Sequence, residues 1–130
     1  MRPSTFLPIK TLICAVIGIA ELLFPQQFLA LFGLQLDPAG MVMTRFQAAG
    51  LIGIGLICWF YRSAGYKTVQ EILLALFIAD ALGFLVALFA QLTGVTNALG
   101  WLVVAIWLFL AAGLGYLRFV KPQVVQPAKA

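Results

Sequence analysis

The sequence predicts an all-α fold: an integral membrane four-helix bundle with both termini on the cytoplasmic side. Three observations carry that prediction. The composition is 64% hydrophobic and 9% charged, with no histidine, which excludes an ordinary soluble domain. Four apolar stretches, 8–32, 40–61, 69–92 and 97–120, each approach or exceed the roughly 20 residues that a helical span needs. Seven of the eight Lys and Arg residues fall on one side of a four-span chain. Arg2 and Lys10 precede the first span, Arg62 and Lys67 join the second to the third, and Arg118, Lys121 and Lys129 follow the fourth. Cytoplasmic loops carry such a basic excess, so the charges support the span count independently of hydropathy. One domain, 1–121, is expected, followed by a short polar tail, 122–130, interrupted by proline.

The first span opens with Pro3 and Pro8, and Pro8 suits a first helical turn. Glu21 within the apolar run, and Pro25-Gln26-Gln27 after it, argue against a cleaved secretory signal. From Lys10 to Phe24 the chain makes only about 22 Å of helix, short of a core of roughly 30 Å. The helix is therefore expected either to kink at Pro25 and continue, which is favoured slightly, or to stop there. In the second case 26–33 would form an interfacial segment, with Phe28, Leu29, Leu31 and Phe32 facing lipid. Pro25 cannot donate to the Glu21 carbonyl, which places a free carbonyl beside a carboxylate.

Asp37-Pro38-Ala39-Gly40 is turn chemistry, with Asp37 as cap of the second span and Pro38 at its first position. That span carries Ala48, Ala49, Gly50, Gly53 and Gly55, which allow close helix approach. It ends in Trp59-Phe60-Tyr61, an aromatic belt. Thr68 and Glu71 read as a capping box for the third span. The uncharged stretch 81–117 is too long for one span, and Thr93-Gly94-Val95-Thr96-Asn97 divides it. Asn97 and Thr96 read as caps of the fourth span, and Trp101 as an interfacial residue.

The candidate functional residues are Glu21, Arg45 and Asp80, each costing roughly 2.5–3.5 kcal/mol inside a bilayer. Cys14, Gly18, Glu21 and Pro25 share one helical face, as do Asp80, Gly83, Ala87 and Gln91, and Arg45 shares a stripe with Ala49 and Ile52. The helical rise puts Glu21 roughly 16 Å, Asp80 roughly 20 Å and Arg45 roughly 25 Å from the cytoplasmic boundary. Arginine can reach several ångströms inward, so Arg45 is expected to pair with Asp80, with Glu21 nearby. Two carboxylates against one arginine leave an excess negative charge, so one carboxyl carries a proton or a cation occupies the site. Gln91, Asn97 and Trp101 are possible auxiliary residues. A static cluster that fixes helix register and a working intramembrane site are both compatible with this pattern.

No catalytic set is legible. Without histidine, haem ligation and the usual zinc sites are excluded, and no metal or cofactor is expected. The two cysteines, Cys14 and Cys58, form no Cys-x-x-Cys and read as small packing residues. No clustered basic stripe supports nucleic-acid binding.

Glu-Leu-Leu-Phe-Pro at 21–25, Arg45 opening a Gly/Ala-rich span, Asp80-Ala81-Leu82-Gly83, and Asn97-Ala98-Leu99-Gly100-Trp101 together resemble the small four-span DoxX-like membrane proteins. The resemblance implies a four-helix membrane bundle, often an accessory or scaffold component, and carries over no catalytic residue. The expected function is a non-enzymatic accessory, assembly or scaffold subunit. The alternative is a small proton- or cation-coupled transporter, or a lipid- or quinone-binding protein using the same cluster. Expected partners are membrane lipids and either another integral membrane protein or a second copy. The expected location is the bacterial inner membrane, or the endoplasmic reticulum in a eukaryote.

Overall fold

In the computed structural model, which describes residues 2–121, helices form almost everywhere the apolar pattern places them. Helix α1 covers Pro3–Leu23, and after a break at Phe24 a short helix α2 covers Pro25–Ala30. Helices α3 (Pro38–Tyr61), α4 (Tyr66–Leu92) and α5 (Gly100–Gly115) follow, the last running into one π turn, Tyr116–Val120. Four segments, with α5 and its π turn as one, are long and apolar enough to cross a membrane. The tail 122–130, with Lys129, lies outside the described residues.

Local chemistry sets most boundaries. Asp37 caps α3 by accepting from the Gly40 amide at 2.6 Å, and Pro38 takes the first helical position, as expected. Helix α1 starts earlier than expected, with Pro3 rather than Pro8 in its first turn. Helix α4 also starts early, at Tyr66, behind Gly65 and without a side-chain cap. The expected Thr68/Glu71 capping box is therefore absent. Glu71 instead lies 4.0 Å from Lys67, one turn before it. At Pro25 helix α1 stops rather than kinks: Phe24 leaves helical geometry (φ −132°, ψ 56°), and Pro25 opens α2. A proline cannot extend the hydrogen-bond ladder of α1 but suits a new first turn.

The helices pack chiefly as two pairs, α1 with α3 and α4 with α5. In the first pair, a Cβ on Gly18 would meet the Ala48 carbonyl at 3.1 Å, and one on Gly55 would meet Cys14 at 3.3 Å. Thr11 fixes this approach by donating to the Gly55 carbonyl at 3.0 Å. The packed stripe of α3 is thus Thr44, Ala48, Gly55 and Cys58. The expected Arg45–Ala49–Ile52 stripe is rotated by about one residue, and Arg45 and Ala49 are exposed. Gly50 and Gly53 have no neighbour within 4 Å of a built Cβ, so neither is a packing contact.

The apolar core joins the two pairs at one end. Phe6 and Leu7 of α1, Cys58 of α3, Val69, Leu73 and Leu76 of α4, and Leu110 and Leu114 of α5 form one cluster with Leu117. That cluster includes the start of α1, the end of α3, the start of α4 and the end of α5. Arg2 and Lys121, the first and last described residues, therefore lie at the same end of the bundle. At the opposite end two connections are tied together: the Asn97 amide donates to Phe32 O at 2.9 Å, and Asn97 Nδ2 to Leu31 O at 2.9 Å.

Candidate functional site

Between the apolar core and the Asn97 tie lies a cavity of about 740 Å³. Every helix contributes to its wall, and the lining is overwhelmingly apolar. Its polar groups come from Lys10, Cys14, Glu21, Gln47, Thr96 and Trp107. Gln47, Gly50, Val86 and Leu102 line it while remaining exposed, so the cavity communicates with the exterior of the bundle.

Beside the core, a buried ion pair meets the cavity. Lys10 Nζ donates to both carboxylate oxygens of Asp80, at 2.7 Å each, and both side chains are almost wholly inaccessible. The Trp107 ring lies over the ammonium at 6.0 Å, within reach of a cation–π attraction. Trp107 holds that place because Gly83 leaves room: a Cβ there would fall 2.6 Å from the ring. The pair joins α1 to α4 and so ties one helix pair to the other.

Glu21 lies eleven residues beyond Lys10, on the same buried face of α1. Its surroundings differ. Oε1 accepts only a long bond from Gln47 Nε2, at 3.5 Å. Oε2 is buried with no hydrogen-bond partner among the described residues. The residue is 4% exposed and borders the cavity. A buried polar group without a partner is uncommon and needs an explanation.

The structure does not assemble the expected trio. Asp80 is at the ion pair and Glu21 at the cavity, but Arg45 joins neither. Arg45 is exposed, and its Nε donates to Leu22 O at 3.4 Å. The physical reason is the break at Phe24, which leaves the last carbonyls of α1 short of helical donors. A cation is well placed at a helix C-terminus. Lys10 takes the role assigned to Arg45. Its position among boundary charges concealed that Lys10, Cys14, Gly18, Glu21 and Pro25 are all buried along one face of α1. The spacing was the available signal, since Lys10 extends the Cys14–Gly18–Glu21 stripe by one turn.

The auxiliary residues serve the loop end. Gln91 Nε2 donates to Asn97 O at 3.2 Å, and Thr96 Oγ1 donates to Gln91 Oε1 at 2.8 Å. Gly100 makes room for both Gln91 and Thr96. Asn97 Oδ1 accepts from the Leu99 amide at 2.9 Å, but α5 opens behind Leu99 with no side-chain cap, so the expected Asn97/Thr96 cap is absent. Trp101 is 52% exposed and away from the cavity wall. The segment after Pro25 differs from the expected lipid-facing arrangement. Phe28, Leu29 and Phe32 turn to the cavity, and of the four only Leu31 is exposed. Leu36 N donates to Gln26 Oε1 at 3.2 Å, holding this segment against the following loop.

Among the described residues no group of three His, Cys, Asp or Glu side chains could hold a metal ion. Both cysteines are free and buried. Compared with protein-family models, with curated proteins and with solved structures, the chain matches none.

Proposed function

We propose that this multi-pass membrane protein binds a small lipophilic molecule in its intramembrane cavity and acts without catalysing a reaction. The observation that carries this reading is the unpartnered, buried Oε2 of Glu21 facing a large apolar cavity. A small-molecule site commonly has this form: a mostly apolar pocket of about 300–1,000 Å³ with a few polar groups that orient the ligand. Glu21 and Gln47 supply such groups, Phe28, Phe32 and Trp107 supply apolar surface, and the Lys10–Asp80 pair stiffens one end.

In this reading the four helices span the bilayer with both termini on the cytoplasmic side, because the basic residues gather at that end. A bacterial inner membrane is the proposed location. The numerous exposed apolar side chains, such as Leu12, Phe46, Leu82 and Phe89, then face lipid. An accessory role, as the resemblance to DoxX-like proteins implies, would be exercised through the bound molecule.

Native mass spectrometry of protein released from mild detergent tests the proposal. Wild-type protein should retain a non-covalent adduct, identified by fragmentation. Gly50→Phe should remove it, because Gly50 lines the cavity and a Cβ there has open space around it. An adduct-free wild type after reconstitution with total membrane lipid, or an adduct indifferent to Gly50→Phe, would overturn the reading.

A further inference from the structure

Resting on that cavity reading, we infer the charge class of the ligand: a lipophilic monocation, an amine whose protonated nitrogen is held by Glu21. Charge balance leads there. Asp80, bound through both oxygens, neutralises Lys10. Arg45 lies outside the cavity wall and is engaged at Leu22 O. Among the described residues, an ionised Glu21 is therefore the one charged group on the wall without an opposite charge. A ligand cation supplies that charge.

The wall also separates an organic cation from an inorganic one. A hard metal cation takes about six oxygen ligands. Only Glu21, Gln47 and Thr96 offer side-chain oxygens to the cavity, and Thr96 is already engaged with Gln91. A cavity of about 740 Å³ is also far larger than a bare ion. An ammonium needs only a carboxylate and an amide oxygen, and its alkyl or aromatic body covers the apolar wall. A fatty acid or other anion is disfavoured, because it would bring a second negative charge beside Glu21 while Lys10 is committed to Asp80.

The test compares three probes of equal chain length in lipid nanodiscs at neutral pH: dodecylamine, dodecanol and dodecanoate. Binding is read from Trp107 fluorescence in a Trp59→Phe/Trp101→Phe background, with Gly50→Phe subtracting partition into lipid. The amine should bind about tenfold or more tighter than the alcohol, the usual advantage of a charge-assisted hydrogen bond. Glu21→Gln should abolish that preference while dodecanol binding persists, which shows that the variant keeps its fold. Equal binding of amine and alcohol, tightest binding of dodecanoate, or an amine preference that survives Glu21→Gln would overturn the charge class and leave the cavity reading standing. Signals unaffected by Gly50→Phe for all three probes would overturn both.

Discussion

The ammonium of Lys10 sits 2.7 Å from both carboxylate oxygens of Asp80, joining α1 to α4 with both side chains shut off from the surroundings. Neither charge has water to fall back on, so each depends on the other. Removing one partner of a buried pair typically costs about 3–5 kcal/mol, whereas replacing both with apolar groups is often close to neutral. Lys10→Ala and Asp80→Ala should each be strongly destabilising. Lys10→Met/Asp80→Leu should recover most of the loss. Unfolding in mixed micelles, followed by circular dichroism, measures this, and additive losses in the double variant would refute the pairing.

Arg45 provides the contrast. Its contact is one exposed bond of 3.4 Å to the end of α1. A charge at a helix terminus contributes about 1 kcal/mol or less. Arg45→Ala should thus cost far less than Lys10→Ala in the same assay. A loss as large as that of Lys10→Ala would mean that Arg45 has a buried partner after all.

The glycines separate into packed and open positions. A Cβ at Gly83 would lie 2.6 Å from Trp107, and one at Gly18 would lie 3.1 Å from Ala48 O. Gly83→Ala must displace the indole, at about 1–3 kcal/mol, the usual penalty of overpacking. Its emission spectrum should shift with it. Gly53→Leu, at a position with no neighbour within 4 Å, should leave a folded bundle. The sequence alone suggested the opposite for Gly53, because a small residue looks the same whether its face is packed or open. Size-exclusion profiles and Trp emission distinguish the two classes.

Asn97 holds the loop end by donating to Leu31 O and accepting from Leu99 N. Asn97→Ala removes both side-chain bonds, at about 0.5–1.5 kcal/mol each. Faster hydrogen exchange should follow around residues 31–36 and 93–100, with little change near Leu73 and Leu114. Uniformly faster exchange would show that the tie matters to the whole fold and not to the cavity's end.

Topology can be read by cysteine labelling. Both native cysteines are buried, so background reaction should be low. Cysteines at Gln35 and Val95 should react with an impermeant maleimide added to intact cells, and one at Ser63 should not. Labelling at Ser63 from outside would invert the proposed orientation.

The sequence by itself determined the four apolar helical spans and the cap that opens α3, but not where α1 and α4 begin. Apolar runs of span length, Asp37-Pro38 and the polar break at 93–97 act within a few residues of chain, and local chemistry suffices to place them. It also pointed to the burial of Glu21 and Asp80 through their spacing from small residues, although the same signal failed for Arg45. Tertiary structure decided which cation Asp80 would meet. Rise along a helix gives depth but not rotation, and about one residue of rotation in α3 separates a buried Arg45 from an exposed one. It also decided that the helix stops at Pro25, turning Phe28, Leu29 and Phe32 toward a cavity. That cavity exists only because two helix pairs, each closely packed within itself, are joined at one end by the core and at the other by Asn97. Such a space belongs to no segment of the chain, so no local pattern could announce it.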